Sequence, residues 1–130
     1  MSPSNVELAR TGWEAFARGD LDALRPLLDP EVKWHGGDPS APYACHSSQE
    51  VLAFMARANE RQSPEGRMAA ELVDVADFGD RVVVVIRPGD PVRAGELRAN
   101  MTTFRNGKVI EMVAFESPEE ALAAASGGAR

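Results

Sequence analysis

Between Glu96 and Phe115 two apolar-rich runs flank the tight turn Arg105-Asn106-Gly107-Lys108, and together they read as a long β-hairpin. Its register decides which side chains share a face, because a slip of one residue moves a strand's whole set to the other side of the sheet. Two registers fit. With Asn106-Gly107 as a two-residue type I′ loop, Arg105 faces Lys108 and Asn100 falls opposite Val113. With Arg105-Asn106-Gly107 as a three-residue loop, Phe104 faces Lys108 and Asn100 falls opposite Met112. The second is preferred, since it gathers Arg98, Asn100, Thr102 and Phe104 with Ile110, Met112 and Ala114. An apolar wall carrying a few polar groups is the usual make-up of a small-molecule pocket.

A chain of 130 residues, 44% of them hydrophobic, supports one domain over residues 1–130 with a real core. A formal net charge of −6 and scattered Lys and Arg speak against a nucleic-acid partner, which needs clustered positive charge. Cys45 is the only cysteine and His35 and His46 the only histidines, so no disulfide, metal or other cofactor is expected. Neither a leader-like segment nor a long apolar span is visible, and a soluble, cytoplasmic protein with no membrane partner is expected.

Ser4 and Glu7 make a capping box for a helix whose Val6, Ala9, Trp13 and Phe16 form one apolar stripe. Asp20 caps a second helix carrying Leu21, Leu24, Leu27 and Leu28, which stops at Asp29-Pro30. Val32 to His35 reads as a short strand entering a Gly/Pro-rich loop over 36–42, a rim or lid. A brief extended piece, Tyr43 to His46, precedes a second capping box, Ser47 with Glu50, and a helix carrying Val51, Phe54 and Met55. Helices are thus predicted over Ser4–Ala17, Asp20–Leu28 and Ser47–Arg61, with an antiparallel sheet from Met68 to Phe115.

Along Met68 to Phe78 the apolar alternation changes phase after Leu72, as an inserted bulge makes it do. Val82 to Ile86 are five apolar residues in a row, the mark of a strand covered on both faces. Helices of this chain cover one face; a homodimer partner is expected on the other, against Val109, Val113 and Phe115. Ser117-Pro118-Glu119-Glu120 then opens a last helix running to Ala125. This order gives an α+β fold with helices packed on one side of a sheet.

Several segments resemble the SnoaL-like group of the nuclear-transport-factor-like superfamily. They are Trp13 to Leu24, Asp29-Pro30-Glu31-Val32-Lys33-Trp34-His35, Gly79 to Val84, Thr103 to Val109 and Pro118 to Leu122. The resemblance covers nearly the whole chain and implies a cone-shaped pocket, formed by a curved antiparallel or mixed sheet with helices on its concave side. Ketosteroid isomerase, polyketide cyclases, epoxide hydrolases, dehydratases and non-catalytic binders share that superfamily. Where the isomerases carry a general-base aspartate, a protonated aspartate and a tyrosine, this chain has His35, Asn100 and Gly12.

These positions single out His35 as acid/base and Asn100 as orienting donor for cofactor-free proton transfer. The blander readings are a rim histidine bonded to backbone and an asparagine tying two strands. Trp13, Tyr43, Phe54, Arg98, Thr102 and Met112 are the candidate ligand-binding residues. Trp34 alternates with His35, so one faces the cavity and the other does not. The functional expectation is a pocket for a small apolar molecule, either an isomerase, cyclase or hydrolase, or a non-catalytic binding or accessory module. The two separate on whether His35 and Asn100 converge on one cavity.

Overall fold

The computed structural model describes residues 4–38, 40–42, 44–62, 71–87 and 96–126. Tyr43, the expected strand start at Met68 and the Pro88–Gly95 connection lie outside the described residues. Ser4 caps α1 (Asn5–Ala17): its hydroxyl oxygen accepts from the Glu7 N–H at 3.1 Å, and the Glu7 carboxylate accepts from the Ser4 N–H at 2.9 Å. Asp20 caps α2 (Leu21–Leu24), which is a single turn continued by a 3₁₀ turn over Arg25–Leu27. The helix ends earlier than expected because Pro26 has no N–H to carry the α-helical ladder on. Leu28 is already extended and opens β1 (Leu28–His35), four residues ahead of the expected strand. After α3 (Ser48–Gln62) come β2 (Glu71–Phe78), β3 (Arg81–Arg87), β4 (Arg98–Arg105), β5 (Lys108–Phe115) and α4 (Pro118–Ala125).

The five strands form one mixed sheet in the order β1-β5-β4-β3-β2. Strands β2 to β5 are antiparallel neighbours, as expected, and β1 joins the edge parallel to β5. Its edge position accommodates Pro30, which cannot donate to a ladder. The bulge read after Leu72 is present: register shifts between Leu72 and Asp74, so Leu72 and Val75 both reach the helix side of the sheet.

At the hairpin the structure corrects the preferred register. Asn106 (φ 54°) and Gly107 (φ 77°) are both left-handed, and Arg105 pairs with Lys108. That is the two-residue type I′ loop, whose twist matches that of the flanking strands. A second bulge follows, with Phe104 opposite Val109 but Thr103 opposite Glu111. Ile110 is the extra residue, and Asn100 therefore falls opposite Ala114, as neither register anticipated. The bulge turns Val109 and Met112 toward the helices and leaves Ile110 and Glu111 on the other side.

Both faces of Val82–Ile86 are covered, and the cover comes from within the chain. Val82, Val84 and Ile86 pack with α1, α2 and α3, while Val83 and Val85 pack with Ala99 and with Ala121 and Ala125 of α4. The motive for placing a second copy on this strand is met by α4. Burying each valine contributes about 1.5–3 kcal/mol. Among the described residues no helix is long and apolar enough to cross a membrane.

Candidate functional site

Between the sheet and α1, α2 and α3 lies a cavity of about 370 Å³. That volume falls within the range of small-molecule sites, about 300–1,000 Å³. Helix α1 contributes Gly12, Trp13 and Phe16, and α3 contributes Phe54 and Met55. Opposite them stand Trp34 of β1, Val84 and Ile86 of β3, and Val109 and Met112 of β5. Strand β4 adds Asn100, Thr102 and Phe104, which share a face because they alternate along the strand. Trp34 stacks on Phe54 with ring centroids 4.5 Å apart, and Trp13 meets Phe16 edge-on at 5.8 Å.

Asn100 and Thr102 are the polar side chains of this wall, apart from the indole N–H groups. The Thr102 hydroxyl donates to Asn100 Oδ1 at 3.0 Å. Among the described lining residues none has a side chain that ionises near neutral pH.

Of the residues expected at the site, Asn100, Trp13, Phe54, Thr102 and Met112 are brought together in this cavity. Arg98 pairs with Ile86 at the strand end and does not line it. Tyr43 lies outside the described residues. His35 is turned away. Its neighbour Trp34 faces the cavity, so the pleat aims the imidazole at the opposite face of the sheet. There Nε2–H donates to Glu111 Oε2 at 2.8 Å, and the Gly37 N–H donates to Nδ1 at 3.0 Å. With Nδ1 accepting, the tautomer that fits carries its hydrogen on Nε2. His35 and Asn100 do not share this cavity, as a paired acid/base and donor arrangement requires. The blander histidine reading describes the geometry, with Glu111 as a partner the sequence reading missed.

Cys45 sits beside Trp34 in an antiparallel bridge, and their backbones exchange hydrogen bonds at 3.0 and 2.8 Å. Burial pushes its thiol pKa up, which disfavours the thiolate form. On the loop after β1, the Ser40 hydroxyl and N–H both donate to Asp38 and hold its carboxyl below the usual range. Among the described residues no three His, Cys, Asp or Glu are grouped to hold a metal ion.

A family model described as a SnoaL-like domain matches residues 9–112. The chain belongs to the SnoaL-like family. The match runs from α1 to the cavity-facing Met112 of β5. This SnoaL-like domain is 27% identical to Bal32a from a soil-derived mobile gene cassette, with a TM-score of 0.67 over 85% of this chain and 86% of that one. It is 25% identical to an NTF2-like protein of unknown function from Burkholderia pseudomallei, with a TM-score of 0.65 over 93% and 96% of the two chains. The cone-shaped fold is therefore shared with the nuclear-transport-factor-like proteins. Among curated proteins, the ECF RNA polymerase sigma factor SigJ of Mycobacterium tuberculosis is 28% identical over 123 residues. The match spans 91% of this SnoaL-like domain but 39% of the sigma factor's length.

Proposed function

We propose that this SnoaL-like domain is a receptor for a small, largely apolar molecule, which it holds in the cavity without an acid–base pair to transform it. The observation that carries this reading is a cavity walled by aromatic and aliphatic side chains in which, among the described lining residues, the polar side chains besides the two indoles are one amide and one hydroxyl. Proton transfer needs a base within hydrogen-bond reach of the ligand, and His35, the base the sequence nominates, is engaged with Glu111 on the face of the sheet away from the cavity.

Gly12 provides the test. It lies inside α1, where glycine costs about 1 kcal/mol relative to alanine. A Cβ there would meet Leu24 at 3.5 Å and Leu27 at 3.7 Å, ordinary contacts that call for no glycine. Its absence keeps the cavity open on the helix side. Gly12→Ala should raise the stability of the free protein by about 0.5–1 kcal/mol. It should also weaken the bulkiest ligands that the wild type accepts in a thermal-shift screen of apolar compounds. Unchanged ligand size limits in this variant count against the cavity as the binding site. A compound turned over by the wild type but only bound by His35→Gln replaces the receptor reading with an enzymatic one.

The sigma-factor match supports a second reading, an accessory module whose ligand state modulates a transcription protein. That protein's activity belongs to its whole chain, of which this fold is a part. Calorimetry of the purified domain with a purified ECF sigma factor decides it, and no heat at micromolar concentration removes the reading.

A further inference from the structure

We propose that His35 is a proton-operated latch for the loop that follows β1: the neutral ring holds the Gly37 N–H, and the protonated ring releases it. The loop so held is the one that folds the chain back over the free edge of β1.

Strand β1 lies at the border of the sheet, with β5 on one side. On its other side, among the described residues, it meets Cys45. The chain reaches Cys45 through successive turns, in which the Ala41 N–H donates to the Asp38 carbonyl at 3.1 Å and the Ala44 N–H to that of Ala41 at 3.0 Å. The start of this return rests on His35. Gly37 takes φ 116°, a value that side chains rarely adopt, and from there its N–H points back at Nδ1, two residues earlier, at 3.0 Å. Neutral imidazole has one acceptor nitrogen, and it is spent on this bond. Imidazolium has two N–H donors and no acceptor, so a protonated Nδ1 confronts the Gly37 N–H instead of receiving it. Gly37 is exposed, and water takes the freed N–H.

The surroundings supply partners for the charged ring. Two carboxylates face it, Glu111 from β5 at Nε2 and Asp38 from the loop, the latter kept ionised by Ser40. Lys33 is on the same face of β1 and stands beside Glu111 in register, while the ring's own cross-strand neighbour, Val113, is apolar. Helix α3 adds Glu50 and Arg57 near Cys45, one charge of each sign. An imidazole changes charge between about pH 5 and 8. The Nε2–H bond to Glu111 survives that change and the Gly37 bond does not, so the ring stays anchored to the sheet while the loop is let go.

Backbone amide exchange followed by NMR from about pH 8 to about pH 5 decides it, each rate being divided by that of an unstructured amide at the same pH. Protection of the Gly37 N–H should fall roughly 10-fold on acidification, at the midpoint where the His35 ring resonances titrate. The Trp34 N–H, which donates to the Cys45 carbonyl, should lose protection in step and by less. His35→Asn places an amide oxygen near the position of Nδ1 and cannot titrate, so it should hold Gly37 across the whole range. Glu111→Gln removes a carboxylate that favours the cation and should move the midpoint to lower pH. His46→Gln, which removes the chain's other imidazole, should leave the curve unchanged. Gly37 protection that is flat while His35 titrates, or that falls as far in His35→Asn as in the wild type, overturns the latch. An unmoved midpoint in Glu111→Gln does so too, and that variant carries the test if His35→Asn does not fold. A curve abolished by His46→Gln assigns the effect to the wrong histidine and overturns the proposal. A Trp34 N–H that keeps full protection while Gly37 loses it overturns the control of the β1 edge.

Discussion

Replacing His35 by leucine should destabilise the protein by about 2 kcal/mol and leave ligand binding in the cavity unchanged. The imidazole is buried, at 5% exposure, and holds two hydrogen bonds, one from the Gly37 N–H and one to Glu111. A hydrogen bond to a charged group contributes about 1.5–3 kcal/mol, and a stranded buried N–H costs about 1–3 kcal/mol. Glu111 keeps access to water, which places the total toward the lower end. For a domain of this size the melting temperature should fall by roughly 5–10 °C. Melting curves with and without a cavity ligand read both quantities. An unchanged melting temperature with lost binding would return His35 to the functional site.

Ala121→Asp should have a larger effect. Ala121 is fully buried between α4 and the sheet, against Val83, Val85 and Ala99. A carboxylate placed there has no partner, and the cost is about 3 kcal/mol or more, enough to release α4. Releasing it bares the apolar outer face of β3 and β4, which then seeks other cover. Light scattering should show a higher mass for the variant than for the wild type, together with a drop in melting temperature. A variant that melts and scatters like the wild type would mean that α4 is not what covers this face.

The sheet's irregularities show why some features were legible and others not. After Leu72 the switch of apolar residues to the opposite parity is written in the local pattern, so that bulge could be read. The one at Ile110 could not, because Val109 and Ile110 are both aliphatic and either fits the cavity side. Asn100, Thr102 and Phe104 were grouped correctly because alternation within one strand is independent of its partner's register. The face that His35 takes is not legible, because period two allows either Trp34 or His35 inward. The choice is made by Glu111, 76 residues away, which no local pattern reveals. The two covered faces of Val82–Ile86 were legible, but the small alanine face of α4 gave little sign that it was the cover.

Of the features described, the placement of Trp13 and Trp34 has a practical consequence. They are the chain's two tryptophans, and both stand on the wall of the same cavity. The intrinsic emission of this protein therefore arises from the cavity wall, with no tryptophan elsewhere to dilute it. Anything entering that space displaces water from, or stacks against, an emitting ring, so the untagged protein carries its own optical gauge of occupancy.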